Sequence, residues 1–432
     1  MLLRFGTSNA GSIKDYQELS LAASSLSDEG GQVFETSHAK HGVLPVVALY
    51  GANASGKSTI LRAIQFLRSG VVKSHKTGDS ETETGREPFL LDKKFRLEPS
   101  QFDCDFLLND VRYHYGFIVD DKKVHEEWLY AYPQKHRQIW FHRNREKGFL
   151  FGRELKGKNK TIEALTRDNS LFLSAAAQNN HEQLTPISEY FQKKFRFLLD
   201  HELPNEIVLA DRLKDEKVRN AVVGILRFSD LGITGARVDD QEIDKRKLKM
   251  YKDLFKVVAK NTEAGDDELK KSLDMMSHKF QLSHKGKNGE DIYLDFNSES
   301  RGTQTLIAVL PAVLKTLALG DVLFIDEFDT SMHSLVSAFI IRLFTSKQSN
   351  PNCAQLVFTT HDTNLLCEKH LLRRDEIWFT QKTKDGSTHL YPLTDIKTRK
   401  TDNIEKGYLQ GRFGAVPFIG DVEALFDIGK DA

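Results

Sequence analysis

The sequence predicts an α/β protein: a mixed sheet with flanking helices, an antiparallel β lobe and a helical insertion. Three observations predict this fold class. The apolar run Val46–Tyr50 is followed by the glycine-rich stretch "GANASGKST" and then by helical spacing of Ile60, Ile64 and Leu67. Two further apolar runs in the last third of the chain end in polar residues. Residues 89–151 alternate between apolar and polar positions, as antiparallel strands do, with a hairpin turn predicted at Asn109 and Asp110.

Composition places the chain among globular proteins. Its 432 residues are too many for one ordinary core and predict two lobes or a domain with a large insertion. Apolar residues make up 40% and charged residues 28%, the usual balance of a soluble protein. Lys plus Arg and Asp plus Glu both number 61, so the net charge indicates neither an acidic nor a basic partner.

Three sequence features bear on location. Cys104, Cys353 and Cys367 are scattered without the spacing of metal ligands, which indicates a reducing compartment. The stretch Met1–Ala10 lacks the layout of a signal peptide. We expect no apolar run to approach the length of a membrane span, so the sequence predicts a cytoplasmic protein with no membrane partner.

The stretch Gly51–Ser58 matches the pattern G-x-x-x-x-G-K-[ST] in full. In this pattern, backbone N–H groups and a helix N-terminus surround phosphate oxygens, the lysine reaches the β- and γ-phosphates, and the hydroxyl binds Mg²⁺. The strand before it and the helix after it are the context that the pattern requires, which disfavours a glycine-rich turn that binds nothing. The predicted ATP-binding residues are Gly51, Asn53, Ser55, Gly56, Lys57, Ser58 and Thr59, with Ser58 also a Mg²⁺ ligand.

An acidic pair follows the second apolar run. Val322–Ile325 reads as a buried strand that ends at Asp326 and Glu327. An aspartate at such a strand end can hold Mg²⁺ beside a P-loop nucleotide, and a glutamate next to it is placed to act as a general base on water. Two acids that merely cap a strand end at the surface are the alternative, which a wholly apolar strand disfavours. The third run, Gln355–Phe358, leads to His361.

Together these segments resemble the ABC-type ATPases. "SRGTQ" (Ser300–Gln304) stands in the place of the signature, "DTSMH" (Asp329–His333) in the place of the D-loop, and His361 in the place of the switch histidine. The resemblance implies a P-loop NTPase fold with an ABC-ATPase head, and ATP and Mg²⁺ as cofactors. It also implies ATP hydrolysis, with Glu327 as catalytic base and His361 at the γ-phosphate.

In that family the signature caps the nucleotide held by a second subunit, so the resemblance implies a homo-oligomer. Ser300, Gly302 and Gln304 would act in trans, backed by the N-terminus of a helix predicted over Thr303–Leu319. Arg301 and Thr303 replace the two glycines that follow the serine in the transporter form. Ser300 or Thr303 as a simple helix N-cap is the alternative, and both roles can hold at once.

The order of these segments predicts three parts. Residues 1–160 would form the first ATPase lobe with the P-loop and the antiparallel β lobe, 161–285 the helical insertion, and 286–432 the second ATPase lobe with a docking tail. Within the insertion we expect helices over 161–229, the first capped by Asn169 or Ser170, and one or two charged helices over 241–276.

One stretch is basic and aromatic. Lys135–Lys160 carries nine Lys or Arg against two Glu, with four aromatic residues, Trp140, Phe141, Phe149 and Phe151, between them. Such a stretch can bind nucleic acid. A β-hairpin with an apolar inner face and solvated cations is the favoured interpretation, because charged outer faces are usual for antiparallel strands.

Finer features resemble the ATP-binding proteins of bacterial phage-defence operons, such as RloA and the ATPase subunit of PARIS. They are "SIKDYQELSL", "GANASGKST", the "ESRGT" signature and the tail "GRFGAVP" within Tyr408–Asp421. This resemblance implies antiviral defence of the abortive-infection or toxin–antitoxin kind. The chain would be the sensor and scaffold of a complex that controls a Toprim-type nuclease or another effector, with a phage protein as trigger.

Two other functions compete with this interpretation. A DNA-binding repair or recombination ATPase of the Rad50/SMC-like or OLD-like kind is supported by Lys135–Lys160 and disfavoured by the lack of sustained heptads between Asn169 and Leu282. A transporter ATPase is disfavoured by Arg301 and Thr303. Salt-dependent DNA binding would discriminate the DNA-acting ATPase from the defence regulator.

Overall fold

The computed structural model describes residues 1–28, 31–199, 206–228, 232–240, 245–259, 269, 273–274, 277–367 and 371–416. Within them the strands are β1 (Leu2–Ser8), β2 (Gln17–Ser20), β3 (Val46–Gly51), β4 (Ser100–Leu108), β5 (Val111–Val119), β6 (Val124–Tyr132), β7 (Gln138–Asn144), β8 (Gly148–Phe151), β9 (Phe195–Leu198), β10 (Ile233–Asp240), β11 (His278–Lys285), β12 (Asp291–Asp295), β13 (Val322–Ile325), β14 (Gln355–Thr359), β15 (Ile377–Lys382) and β16 (Thr388–Pro392). The helices are α1 (Lys57–Lys73), α2 (Lys93–Leu97), α3 (Asn159–Leu165), α4 (Phe172–Gln178), α5 (Thr185–Lys194), α6 (Glu206–Leu213), α7 (Glu216–Phe228), α8 (Lys245–Ala259), α9 (Arg301–Leu319), α10 (Ser334–Thr345), α11 (Asn364–Cys367) and α12 (Ile404–Leu409).

The chain divides into two compact units. The first comprises Met1–Leu199, Thr316–Phe328 and Ala338–Ala432, and the second comprises Asp200–Lys315 and Asp329–Ser337. The second unit therefore starts later than the insertion that the sequence predicts from residue 161. Helices α4 and α5 pack on α1 of the first unit, because their apolar faces complete its core.

An antiparallel sheet forms one layer of the first unit. Its strand order is β2-β1-β4-β5-β6-β7-β8, and it contains the predicted hairpins. The turn between β4 and β5 lies at Asn109 and Asp110, whose φ angles of 50° and 57° suit a two-residue turn of type I′. The β7–β8 hairpin is also present, with Phe149 and Phe151 packed on Phe172. The favoured interpretation of the basic stretch as such a hairpin is confirmed, and its cations are exposed as expected except Arg143, which is buried.

A second, mostly parallel sheet carries the predicted P-loop strand. Its order is β16-β15-β3-β14-β13-β9, and β16 alone pairs antiparallel. Helix α1 buries Ile60, Ile64 and Leu67 as their spacing predicts. The buried side chain of Gln355 joins the two sheets, because it accepts from the N–H of Leu2 at 2.7 Å and donates to the carbonyl oxygen of Leu2 at 2.9 Å. The predicted fold class is confirmed.

Strand β9 corrects the expectation of helices throughout 161–229. It pairs parallel with β13 at one edge of the central sheet, and the ring of Phe197 stacks on that of Phe324 at 4.7 Å. Beside it, Arg196 pairs with the buried carboxylate of Asp321 at 2.6 Å. These tertiary contacts override the helical propensity of the local sequence.

The second unit contains an antiparallel sheet of order β10-β11-β12 with α6 and α7 beside it. Phe280 and Leu282 of β11 are buried there. Helix α8 is the part of the charged helices expected over 241–276 that the structure describes; residues 241–244, 260–268, 270–272 and 275–276 lie outside the described residues.

The end of the described chain packs on the central sheet. The ring of Tyr408 lies 5.8 Å from that of Tyr50 and 5.5 Å from that of Phe379. The hydroxyl of Tyr391 donates to the carbonyl oxygen of Phe413 at 2.7 Å. The tail therefore docks on the head as expected up to Val416, and its predicted residues 417–421 lie outside the described residues.

Helix α9 contradicts the expectation about apolar length. Among the described residues it is the one helix whose length and composition would allow it to cross a membrane. More than half of it is buried inside the protein, as in the core helices of soluble proteins.

The N-terminus of α4 is capped by a residue that the sequence analysis missed. The helix begins at Phe172, not directly after the expected cap of Asn169 or Ser170, and the Asn169 amide donates to carbonyl oxygens of a neighbouring loop. The fully buried Glu127 of β6 accepts from the N–H groups of Phe172 at 2.5 Å and Leu173 at 3.0 Å. The Tyr115 hydroxyl donates to it at 3.0 Å.

The pKa of the Glu127 carboxyl is raised above its usual value. Desolvation by burial is the cause, and it outweighs the charge of Arg143 and the hydrogen bonds from the amides, which act in the opposite direction. Arg143 lies 4.0 Å from the Glu127 carboxylate and is itself nearly buried. A buried charge pair of this kind tolerates the loss of one member poorly, because the other member is left desolvated and unpaired.

We therefore expect Glu127→Ala to lower the free energy of unfolding by about 3–5 kcal/mol, since a buried arginine and a helix N-terminus lose their partner. Urea unfolding followed by circular dichroism measures the change. Glu126→Ala is the matched control, because Glu126 is the next residue and forms a half-exposed pair with His142 at 2.6 Å. That control should change stability by no more than about 1 kcal/mol. Equal effects of the two substitutions would contradict the role of Glu127.

Candidate functional site

Three neighbouring parallel strands of the first unit end at one edge of the central sheet. Strand β14 lies between β3 and β13, with Thr359 opposite Leu49 and Phe358 opposite Ile325. All residues of β13 and β14 are buried, so the first polar groups stand where the strands end. The glycine-rich loop follows β3, the acidic pair follows β13, and His361 follows β14.

These strand ends surround a cavity of about 410 Å³. Its lining brings together the glycine-rich loop, one acid and the histidine that the sequence analysis singled out. The lining residues are Ser12, Asn53, Ala54, Ser55, Gly56, Lys57, Ser58, Thr59, Glu327 and His361.

The loop has a concave shape where it lines the cavity. Its backbone visits the left-handed region at Ala54 (φ 60°) and Gly56 (φ 107°), and a side chain at Gly56 would meet the hydroxyl of Thr388. Lys57 is nearly buried, and its ammonium donates to the carbonyl oxygens of Gly51 at 2.8 Å and Ala52 at 3.2 Å. Glycine is needed at position 56 both for the conformation and for the close approach.

Hydroxyl groups outside the loop support it. Thr380 of β15 hydrogen-bonds the Ser55 hydroxyl at 2.6 Å, and Thr388 of β16 donates to the Ser55 carbonyl oxygen at 2.8 Å. The hydroxyl of Ser12 lies 3.0 Å from that of Thr59 and 2.7 Å from that of Thr388. The hydroxyls of Ser12, Thr380 and Thr388 could not be recognised from the sequence, because residues so far apart in the chain share no local pattern.

The acidic pair occupies a tight turn after β13. Asp326 accepts at Oδ1 from the Thr359 hydroxyl at 2.5 Å, and the Glu327 N–H donates to the same hydroxyl oxygen at 2.7 Å. Glu327 has a φ of 49°, a left-handed conformation that is uncommon outside glycine. Such strain persists where surrounding contacts enforce it, and it concentrates at functional sites.

These groups fit a nucleotide with its divalent cation. Among the described residues no cluster of three or more His, Cys, Asp or Glu could hold a metal by itself. A Mg²⁺ ion held with phosphates needs only one or two protein oxygens, which Ser58 in the cavity and Asp326 beside Glu327 can supply. Asp326 keeps its second carboxylate oxygen, Oδ2, outside the hydrogen bond with Thr359.

The signature residues lie in the second unit, at the start of α9. Ser300 accepts from the Thr303 N–H at 3.2 Å, so the N-cap interpretation is confirmed. The Gln304 amide donates to the carbonyl oxygens of Phe296 and Glu299. A side chain at Gly302 would approach the carbonyl oxygen of Ser331 to 2.5 Å, so this glycine has a packing role in the second unit.

One comparison with known proteins covers the residues of this site. The sequence matches the family described as "AAA domain, putative AbiEii toxin, Type IV TA system" over residues 46–368. A search of curated proteins found no match.

Similar solved structures include three SMC heads. The head bound to the C-winged helix domain of ScpA has 13% identity and a TM-score of 0.43, covering 90% of this chain and 97% of that one. The SMC head domain from Thermotoga maritima has 11% identity and a TM-score of 0.39, covering 90% of this chain and 98% of that one. The third is an SMC head with an extended coiled coil, bound to the C-terminal domain of ScpA from Pyrococcus furiosus. It has 11% identity and a TM-score of 0.34, covering 90% of this chain and 96% of that one. At such low scores these likenesses establish nothing about function.

The family match covers most of the chain. It includes the glycine-rich loop, the acidic pair and His361, which are the segments that the structure gathers at one edge of the central sheet. The chain therefore belongs to this AAA-domain family.

Proposed function

We propose that the protein binds ATP with Mg²⁺ in the cavity at the edge of the central sheet and hydrolyses it. The convergence of the P-loop, Glu327 and His361 on one cavity carries this proposal. On binding, the Lys57 ammonium exchanges its two loop carbonyls for phosphate oxygens, and the loop N–H groups surround the phosphates. Bound Mg²⁺ supplies charge neutralisation at the phosphates, with Ser58 and Asp326 as its protein ligands.

Glu327 is the proposed general base, and its backbone conformation supports this role. Glu327 lines the cavity, and its backbone N–H donates a hydrogen bond to the Thr359 hydroxyl. A carboxylate fixed in this way can accept a proton from water near the γ-phosphate. His361 lines the same cavity, and its proposed role is to contact the γ-phosphate.

The proposed active form is a homo-oligomer in which the signature of one copy completes the site of another. The resemblance to ABC-type ATPases supports it, as does the position of Ser300 and Gly302 at the N-terminus of a 19-residue helix. A helix N-terminus presents N–H donors and positive potential to phosphate oxygens.

The proposed biological role is a sensor and scaffold subunit of an anti-phage complex that controls a toxic nuclease partner and responds to a phage protein. Two things support it: the family description includes a toxin of a toxin–antitoxin system, and the tail and loop segments resemble phage-defence ATPases.

A DNA-binding repair or recombination ATPase is the second candidate, favoured by one observation. Arg137, Arg145, Lys147, Arg153 and Lys156 are all exposed around the β7–β8 hairpin. Steeply salt-dependent DNA binding by the isolated protein would favour this function over the defence role.

Lys57→Ala should weaken ATP binding by at least about 10-fold to 10²-fold, because charge-assisted hydrogen bonds to phosphate are lost. Isothermal calorimetry measures the affinity. Lys73→Ala is the control, since Lys73 is exposed in the last turn of the same helix. Unchanged affinity in Lys57→Ala would refute the site.

Glu327→Gln should bind ATP as the parent does but hydrolyse it about 10²-fold to 10⁴-fold more slowly, because the amide is a poor base. Phosphate release in steady state gives the rate, and calorimetry on the same preparation gives the affinity. Hydrolysis at the parent rate would move water activation to another group.

A mixture of Lys57→Ala and Arg301→Glu chains should recover ATPase activity that each variant lacks alone. Arg301 is exposed at the signature, and a carboxylate there would repel a neighbour's γ-phosphate without the clash that any side chain causes at Gly302. Mixed interfaces pair the intact P-loop of one chain with the intact signature of the other. For a dimer with independent sites, an equal mixture should reach about a quarter of the parent rate.

A tagged pull-down verifies that mixed oligomers form. If they form and stay inactive at every ratio, the composite site is either wrong or works only in concert. A covalently linked pair with one restored interface separates those outcomes.

A further inference from the structure

The last residue of β14, Thr359, holds three consecutive residues of the acidic turn. Its hydroxyl donates to Asp326 Oδ1 at 2.5 Å and accepts from the Glu327 N–H at 2.7 Å. Its carbonyl oxygen accepts from the Phe328 N–H at 2.9 Å. Thr359 is fully buried. One residue of the middle strand therefore fixes the whole turn after β13.

The chemistry of the hydroxyl makes this arrangement directional. A threonine hydroxyl has one proton, and here it goes to Asp326, so the oxygen is left to accept from the Glu327 amide. Occupation of Oδ1 fixes the rotamer of the Asp326 carboxylate. Oδ2 is then the oxygen that the turn leaves for a cation.

The same contact explains how Glu327 keeps its left-handed backbone. At a φ of 49° this residue is strained, and a buried acceptor for its N–H is a contact that enforces the conformation. The residue that follows β14, Thr360, donates its N–H to the carbonyl oxygen of Leu49 on β3 at 3.1 Å. The acidic turn is thereby held in a fixed position relative to β3, the strand that carries the P-loop.

We propose that Thr359 is a positioning residue that presents Asp326 to the nucleotide's divalent cation and aims Glu327 into the cavity. This inference rests on the proposed function and deepens it. A hydroxyl that only fills space would affect stability alone. A hydroxyl that orients a metal ligand also affects the concentration of metal at which nucleotide binding tightens, and groups that orient metal ligands typically alter metal affinity or activity 10-fold to 100-fold.

The test replaces Thr359 by valine, which has the same shape without the hydroxyl, and by serine, which keeps the hydroxyl. The affinity for fluorescent ADP is measured in EDTA and then across a Mg²⁺ titration. For Thr359→Val we expect the affinity in EDTA to equal the parent's, because the P-loop is untouched. The Mg²⁺ concentration that produces half of the change in ADP affinity should rise by about 10-fold or more. The kcat for ATP hydrolysis should fall by a similar factor. Thr359→Ser should follow the parent in every measurement.

The outcomes separate this inference from the proposed function. A valine variant with the parent's Mg²⁺ midpoint and kcat overturns the role of Thr359, as does a serine variant as impaired as valine. A parent that binds no nucleotide with or without Mg²⁺ overturns the proposed function and this inference with it. If the valine variant is unfolded by thermal melting, Thr359→Cys replaces it. Its weakly hydrogen-bonding thiol should give a Mg²⁺ midpoint above that of serine, and a midpoint equal to serine's overturns the inference.

Discussion

The parallel pairing of β14 with β3 on one side and β13 on the other is the constraint on which the site depends. It places residues that lie about 300 positions apart in the chain at one edge of one sheet. Parallel strands covered on both faces must be apolar along their length, so polar side chains can appear only where the strands end. The loop after β3, the acids after β13 and His361 after β14 obey that rule. A change of register in any of the three strands would separate the groups that line the cavity.

The rest of the first unit holds that edge in place. Gln355, at the other end of β14, hydrogen-bonds both backbone groups of Leu2, so the antiparallel sheet and the central sheet meet at the middle strand. Hydroxyls of Ser12, Thr380 and Thr388 support the glycine-rich loop from the N-terminal segment and from the β15–β16 hairpin. The left-handed backbone at Ala54 persists because these neighbours hold the loop around it, and the one at Glu327 persists because Thr359 accepts from its N–H.

Local patterns predicted what local physics decides. The P-loop strand and helix, the strands at Val322 and Gln355, and the turn at Asn109 and Asp110 follow from apolar runs, helical spacing and turn chemistry. What the sequence could not predict depends on contacts between distant segments. Glu127 caps α4 from a strand that precedes it by some 45 residues, and β9 is a strand because β13 offers it an open edge. Thr359 carries no sequence pattern that marks it, and only the pairing of β14 with β13 shows what its hydroxyl contacts.

The position of Lys57 has a consequence for how a composite site would work. Its ammonium donates to two carbonyl oxygens of its own loop, and these hydrogen bonds support the concave shape of the loop. Under the proposed function, nucleotide binding would exchange these oxygen acceptors of Lys57 for phosphate oxygens within a single chain. Hydrolysis differs, because under the proposed arrangement the donors that cap the γ-phosphate belong to another copy. Under that proposal binding and hydrolysis are separate events: one chain would hold ATP, and the approach of a neighbour's signature would decide when it is cleaved. A regulator that must wait for a trigger needs that separation, since a site complete within one chain would hydrolyse its nucleotide without reference to the state of the assembly.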